Sequence, residues 1–280
     1  MLWYAAAGVS QYISDGYERM ALETVGRRIP FLTGLGSTET APFAIGRTWP
    51  AERAANIGLP GPGLELKLVP SGGKLEARLR GPNITPGYWR EPDLTANAYD
   101  EEGYYKLGDA LAFEDPADPG KGLVFDGRIA EDFKLATGTW VATGRLRARM
   151  IDAFAPYLRD AVLTGPDRDN LGALLFPDPV ACRALVPDVT GDSAELWADP
   201  RVRAEFQKRL DALAKEATGS SNRIVRAMLM TEPPSLDAGE ATDKGSINQR
   251  TVLKNRAALV QELYDEPLSR RVITLTQPKA

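Results

Sequence analysis

The spacing of apolar residues changes character along this chain. "LELKLV" (64–69) and "KLEARLRG" (74–81) alternate apolar and polar positions and predict half-buried strands. "MLWYAAAG" (1–8) predicts a strand running into a small-residue loop, and "RIPFLTGLGS" (28–37) a strand leading into a glycine-hydroxyl loop. Between them "SQYISDGYERMALETVG" (10–26) has helical spacing, with Tyr12, Tyr17 and Leu22 among its apolar positions and Gly26 as its stop. From Gly58 to Phe125 the pattern is one of short strands punctuated by Gly and Pro. The stretch 82–113 is loop-rich around a helix-like "PDLTANAY" (92–99), and "DPADPGKG" (115–122) is a turn cluster.

Beyond that point strands and helices alternate. "GLVFDGRIAEDFKLATGTWVATG" (122–144) predicts two strands around a short charged connection. The helix after it has Thr143 as cap and Leu146, Met150, Ile151, Phe154 and Tyr157 on its apolar face. "DAVLTG" (160–165), "GALLFP" (172–177) and "IVRAMLM" (224–230) predict strands. "ELWADPRVRAEFQKRLDALAKEAT" (195–218) predicts a long helix broken near Pro200, and "NQRTVLKNRAALVQELYDE" (248–266) a final one. The fold class expected is α/β (α+β): a short-stranded part over residues 1–127, a connection at 128–132 and a compact α+β domain over 133–280.

Composition narrows the chemistry. The 280 residues are 43% hydrophobic, enough for substantial cores, and carry a net charge of −4. That balance disfavours nucleic-acid binding, which shows as a basic patch. There are no histidines, so Ser-His-Asp triads, His bases and His-ligated zinc are all excluded. Cys182 is the single cysteine and leaves no internal disulfide. No stretch approaches the ~20 apolar residues of a membrane span, and the start lacks a signal-peptide pattern, so the expectation is a cytoplasmic chain.

Three short motifs remain. In "LTGLGSTETAP" (32–42) the glycines and hydroxyls of Gly36, Ser37 and Thr38 suit close approach to phosphate oxygens, and Glu39 suits oxygen ligation of Mg2+. Taken alone, the same stretch reads more readily as a capped turn with a solvated acid. In "GYYKLGDAL" (103–111) Asp109 is a short carboxylate after glycine, suited to accept from both ribose hydroxyls or to sit in a turn. In "FDGRIAEDFKL" (125–135) Arg128 suits a phosphate or ribose oxygen, or a surface pair with Glu131 or Asp132.

"GSTE", "GKLEARLRGPNITPGYW", "KLGD" and "GR", in that order, resemble the core motifs of the adenylate-forming superfamily of acyl-CoA synthetases, luciferases and peptide-synthetase adenylation domains. "YYKLGDAL", "GLVFDGRIAEDFKLATGTWV" and "DAGEATDKGSINQR" are most similar to the feruloyl-CoA synthase branch. The resemblance implies the C-terminal part of the large AMP-binding domain followed by a mobile lid domain. The activity implied is ATP-dependent activation of a hydroxycinnamic acid such as ferulate through an acyl-adenylate, then transfer to coenzyme A. It further implies that Thr38 contacts phosphate, Glu39 helps hold Mg2+, and Ala6 and Ala7 pack on adenine. Asp109 and Arg128 would bind ribose and phosphate, with Ala130 and Glu131 as hinge. Gly138 and Trp140 would line the pantetheine channel, and Lys244 would be the adenylation lysine, with Lys254 its rival.

Departures from the family pattern are Leu107 for a threonine, Lys74 for a glutamate and Ala130 for an acid or lysine. The family's phosphate loop and most of its acyl pocket would be supplied from outside these residues, for instance by a separate N-terminal half. Without that supply, the other reading is a non-catalytic module that binds AMP or CoA, or docks on a partner.

Overall fold

The computed structural model describes residues 1–5, 8–243 and 245–276. The chain divides between Ala130 and Glu131 into two units.

In the first unit β1 (Leu2–Tyr4) leads into α1 (Gln11–Val25) and returns as β2 (Phe31–Leu35), which pairs parallel to β1. The Ser10 side chain accepts from the Ile13 amide at the start of α1. Gly26, left-handed at φ 69°, closes its end by donating to the Leu22 carbonyl. Then follow β3 (Ile45–Gly46), β4 (Asn56–Pro60), β5 (Glu65–Ser71), β6 (Lys74–Arg80), α2 (Pro92–Ala98), β7 (Tyr105–Phe113) and β8 (Leu123–Arg128). The sheet order is β1-β2-β3-β4-β8-β7-β6-β5, antiparallel after the first pair. Ala44, Ile45, Ile57, Ala77, Leu79, Leu111 and Leu123 form its core. On α1 only Ala21 is buried; Tyr12, Ile13, Met20, Leu22 and Val25 are exposed, as are Leu2 and Trp3 on β1.

The stretch read as loop-rich contains β7, a nine-residue strand between β6 and β8. Its signal is broken by Gly108 at φ 76° and by a register shift between Asp109 and Leu111. An extra residue at such a bulge puts the alternation out of phase, so the strand does not read as one.

The second unit opens with a small hairpin of β9 (Phe133–Lys134) and β10 (Trp140–Val141), then α3 (Thr143–Phe154). β11 (Leu158–Thr164), β12 (Leu171–Pro177), α4 (Pro179–Leu185), α5 (Ser193–Ala198), α6 (Pro200–Lys215), β13 (Ile224–Leu229), α7 (Gln249–Asn255), α8 (Ala257–Tyr264) and β14 (Val272–Thr274) complete it. The sheet β11-β12-β13-β14 is covered on both faces. Period-2 side chains sort accordingly. Ala161, Leu163, Ala173, Leu175, Ala227, Leu229 and Ile273 join Met150, Phe154, Phe206 and Leu210 on one face. Val162, Leu174, Phe176, Met228 and Val272 join Val252 and Leu263 on the other. Burying such side chains contributes ~1.5–3 kcal/mol each.

Several details differ from the sequence reading. Thr143 does not cap α3: it is the first helical residue, after Ala142. Its amide donates to Asp132 Oδ1 (2.9 Å) and its hydroxyl to the Glu131 carbonyl (2.9 Å), so the acid of the connector supplies the missing cap. The charged connection at 122–144 holds three strands instead of two. The last helix is split at Arg256, whose side chain is drawn to a buried acid described below. The short α4 and β14 have no counterpart in the periodicity, being seven and three residues long.

Candidate functional site

The elbow after β2 is closed on itself. Thr38–Thr40 form a single 3-10 turn, and the Thr40 hydroxyl both accepts from the Ser37 amide (2.9 Å) and donates to the Ser37 carbonyl (3.0 Å). A Cβ on Gly36 would lie 1.5 Å from the Pro42 carbonyl oxygen, so no side chain fits there. The segment after β6 clamps the elbow from outside. Asn83 Nδ2 donates to the carbonyls of Thr40 (2.8 Å) and Phe43 (2.7 Å), and the Thr85 amide donates to the Glu39 carbonyl (2.8 Å).

Glu39 is held by groups the sequence reading did not single out. The Tyr88 hydroxyl donates to its Oε1 at 2.9 Å. Desolvation pushes the Glu39 carboxyl up, but hydrogen bonds from Ser37, its own backbone amide, Tyr88 and Tyr105 outweigh it and hold the pKa below the ordinary glutamate value. Tyr105 is buried, and desolvation together with Tyr88 and Glu39 pushes its phenol far above the usual range. Its ring packs edge-on against Tyr99. Tyr88 lies in the quoted "TPGYW", but nothing in its spacing says that its ring turns inward while Trp89 is exposed. Thr38 is exposed on the turn.

Asp109 and Arg128 face each other across β7 and β8, with Arg128 Nε 3.5 Å from Asp109 Oδ1. Asp109 is buried at 6% exposure, whereas the Arg128 side chain is 69% exposed. Lys74, the residue that departs from the family's glutamate, is buried and donates from Nζ to the Asp126 carbonyl at 2.7 Å. Its ammonium thereby reaches across to β8, two residues before Arg128.

In the second unit Gly138, at φ 80°, makes the tip of the β9–β10 hairpin, closed by the Leu135–Thr139 and Gly138–Leu135 backbone bonds. Trp140 is exposed, with Lys134 Nζ 4.9 Å from its ring centre. Glu131 is fastened to α3 through its carbonyl, and Ala130 ends the first unit. Ala6, Ala7 and Lys244 lie outside the described residues. Nearby, Ala241 and Ile247 form an antiparallel bridge, and the Thr242 amide donates to the Ser246 carbonyl (2.9 Å). Lys254 is exposed near the end of α7.

Among the described residues no three carboxylate, thiol or imidazole groups gather as a ready-made metal cage. Glu39, kept ionised, fits the other mode of holding Mg2+, in which one protein carboxylate is joined by phosphate oxygens and water. No helix among the described residues is long and apolar enough to cross a membrane.

In fold the chain resembles solved domains of adenylate-forming enzymes. Residues 134–267 match the AMP-binding enzyme C-terminal domain. It is similar to the long-chain-fatty-acid–[acyl-carrier-protein] ligase AEE15 of Arabidopsis thaliana, 25% identical over 82% of this chain and 32% of that protein. It is also similar to the 3-hydroxybenzoate–CoA ligase of an Aromatoleum species, 26% identical over 72% of this chain and 39% of that protein. In fold it resembles the A domain of carboxylic acid reductase from Segniliparus rugosus, solved with AMP and a carboxylic acid. That match has a TM-score of 0.67 at 23% identity and covers 94% of this chain and 39% of that one. The chain spans about a third of the length of the curated relatives it matches first.

Proposed function

We propose that this chain supplies the magnesium edge, ribose contacts and lid of an acid–CoA ligase acting on a hydroxycinnamic acid such as ferulate. In the first step a substrate carboxylate oxygen attacks the α-phosphorus of ATP, forming the acyl-adenylate and releasing pyrophosphate. In the second, the coenzyme A thiol attacks the acyl carbon, giving the thioester and AMP. Thr38 and the amides of Gly36 and Ser37 contact phosphate, Asp109 accepts from the ribose hydroxyls, and Arg128 contacts ribose or phosphate. Lys244 offsets the charge that develops at the α-phosphate. Mg2+, held by Glu39, neutralises phosphate charge when bound. Gly138 and Trp140 border the pantetheine path, and Ala130 and Glu131 form the hinge of a lid movement.

The observation that carries this reading is Glu39. It is a carboxylate held below the ordinary glutamate pKa on a closed, hydroxyl-rich turn, with hydrogen bonds from Tyr88 and Tyr105 that favour its ionised form. The relatives act on fatty acids and a hydroxybenzoate by their names, so the hydroxycinnamate rests on the motif resemblance alone. The test is pyrophosphate release from ATP with ferulate, 3-hydroxybenzoate or a fatty acid, by this chain alone and mixed with the N-terminal part of a related ligase. Release that selects ferulate and is lost in Glu39→Gln is expected. No release in any mixture sinks the ligase reading.

The uncovered apolar residues of α1 and β1 favour a second reading, a non-catalytic module that binds AMP or CoA or docks on a partner. Stable binding of AMP or coenzyme A without turnover in the same mixtures would decide for it.

A further inference from the structure

The segment between β13 and α7 is anchored by an ion pair that none of the roles above uses. Glu240 is buried, and Arg256 wraps it: Nη2 lies 2.6 Å from Oε2, and Nε lies 3.1 and 3.2 Å from the two carboxylate oxygens. The rest of the guanidinium fastens the start of the same segment, with Nη1 donating to the Glu232 carbonyl (3.0 Å) and Nη2 to that of Pro233 (2.8 Å). Its carbon sits 5.1 Å from the centre of the Phe176 ring on β12. Glu240 Oε2 also accepts from the Ser235 amide (3.0 Å), and the Glu240 carbonyl accepts from the Asn248 amide (2.8 Å). One guanidinium therefore ties both flanks of the 232–240 loop to the core sheet. The turn from Ala241 to Ile247 springs from the tied end.

A buried ion pair is weak as a source of stability, because desolvating both charges offsets most of their attraction. Its geometry is exacting, however, since a planar guanidinium accepts only a few arrangements of its partners. Apart from Ile247, the segment has almost no buried apolar side chain to fix it in place. What the pair contributes is placement. We propose that Glu240 and Arg256 are positioning residues that order the flanks of the Ala241–Ile247 turn, and that the adenylation step depends on that order. The catalytic half of this inference rests on reading Lys244 as the adenylation lysine; the ordering of the turn does not.

The test compares Arg256→Gln, Arg256→Lys and the paired Glu240→Leu/Arg256→Met, which removes both charges together and keeps the site filled. Hydrogen exchange on the intact chain should rise about tenfold or more at the Thr242, Gly245 and Asn248 amides in Arg256→Gln and in the paired variant. The β12 and β13 amides should stay protected, which separates loosening of the turn from unfolding. Arg256→Lys should restore part of the protection. Unchanged exchange in the paired, folded variant overturns the proposal. In the reconstituted mixture, pyrophosphate release should fall in Arg256→Gln and fall no further when Lys244→Ala is added. If the two losses instead multiply, the pair does not act through the turn. If Lys244→Ala alone has no effect, the lysine reading and the catalytic half fall together, and the exchange result decides the remainder.

Discussion

Gln249 offers the sharpest test of how the second unit is held. It is 2% exposed at the start of α7, and its amide completes the edge strand β11. Nε2 donates to the Leu163 carbonyl at 2.6 Å, and Oε1 accepts from the Leu163 amide at 3.1 Å. These two backbone groups point away from β12, and among the described residues no other strand lies on that side. Gln249→Leu would keep the volume and leave both unpaired. Each buried orphan costs ~1–3 kcal/mol, giving ~2–6 in total, less ~1 kcal/mol for the extra apolar burial. The expected loss is ~1–5 kcal/mol, or roughly 2–20 °C in melting temperature for a unit of this size.

Urea unfolding, followed by the fluorescence of buried Trp197, measures it. Gln249→Glu adds a pH signature. The ionised acid accepts from the Leu163 amide but has no proton for the carbonyl, so burial raises its folded pKa above the unfolded ~4.3. A raised folded pKa gives stability that is full below the unfolded value and lost as pH rises through the folded one. Gln249→Glu should therefore approach the parent protein near pH 4 and fall away toward pH 8. A loss under ~1 kcal/mol for the leucine variant, with a pH-independent gap for the glutamate one, would refute the assignment.

Three further outcomes follow from the geometry. Tyr88→Phe should move the Glu39 pKa back toward the ordinary value, read by carboxylate NMR titration. In the parent, the stability Glu39 contributes is present above the unfolded pKa and lost as pH falls through the lowered one, and this acid step should shrink in the variant. Arg147→Met removes one partner of a bidentate pair, with Nε and Nη2 at 2.6 and 2.5 Å from Asp160, and should cost ~3–5 kcal/mol in urea unfolding. Cys182 is buried on α4, and desolvation raises its thiol to about 12, so a disulfide reagent at pH 8 should label it only at the rate of unfolding.

Much of this architecture can be read from the chain, for a physical reason. The strands of the second unit carry apolar runs because both faces are covered, α3 has a long periodic face, and α1 and α6 have periodic faces with marked starts. β7 hid because a bulge and Gly108 throw its alternation out of phase. The split at Arg256 hid because a side chain 16 residues from its partner decides it. At the elbow the hydroxyls and the acid are local and were visible. The tyrosines that set its charge come from 49 residues away for Tyr88, and further still for Tyr105 on β7. No spacing rule ties them to Glu39.

The closed elbow has a consequence for the entropy of recognition. A flexible glycine loop must be frozen when a ligand arrives, and that ordering subtracts from the affinity. Here Gly36 is pressed against the Pro42 carbonyl, Thr40 is bonded twice to Ser37, and Asn83 and Thr85 hold the outer side. The loop is frozen before any ligand comes. An anion that settles on it forgoes the ~0.5–1.5 kcal/mol otherwise lost for each side chain immobilised. Selectivity among ligands then rests on shape and charge already fixed in the free protein, and loosening Asn83 should weaken every ligand of this loop by a similar factor.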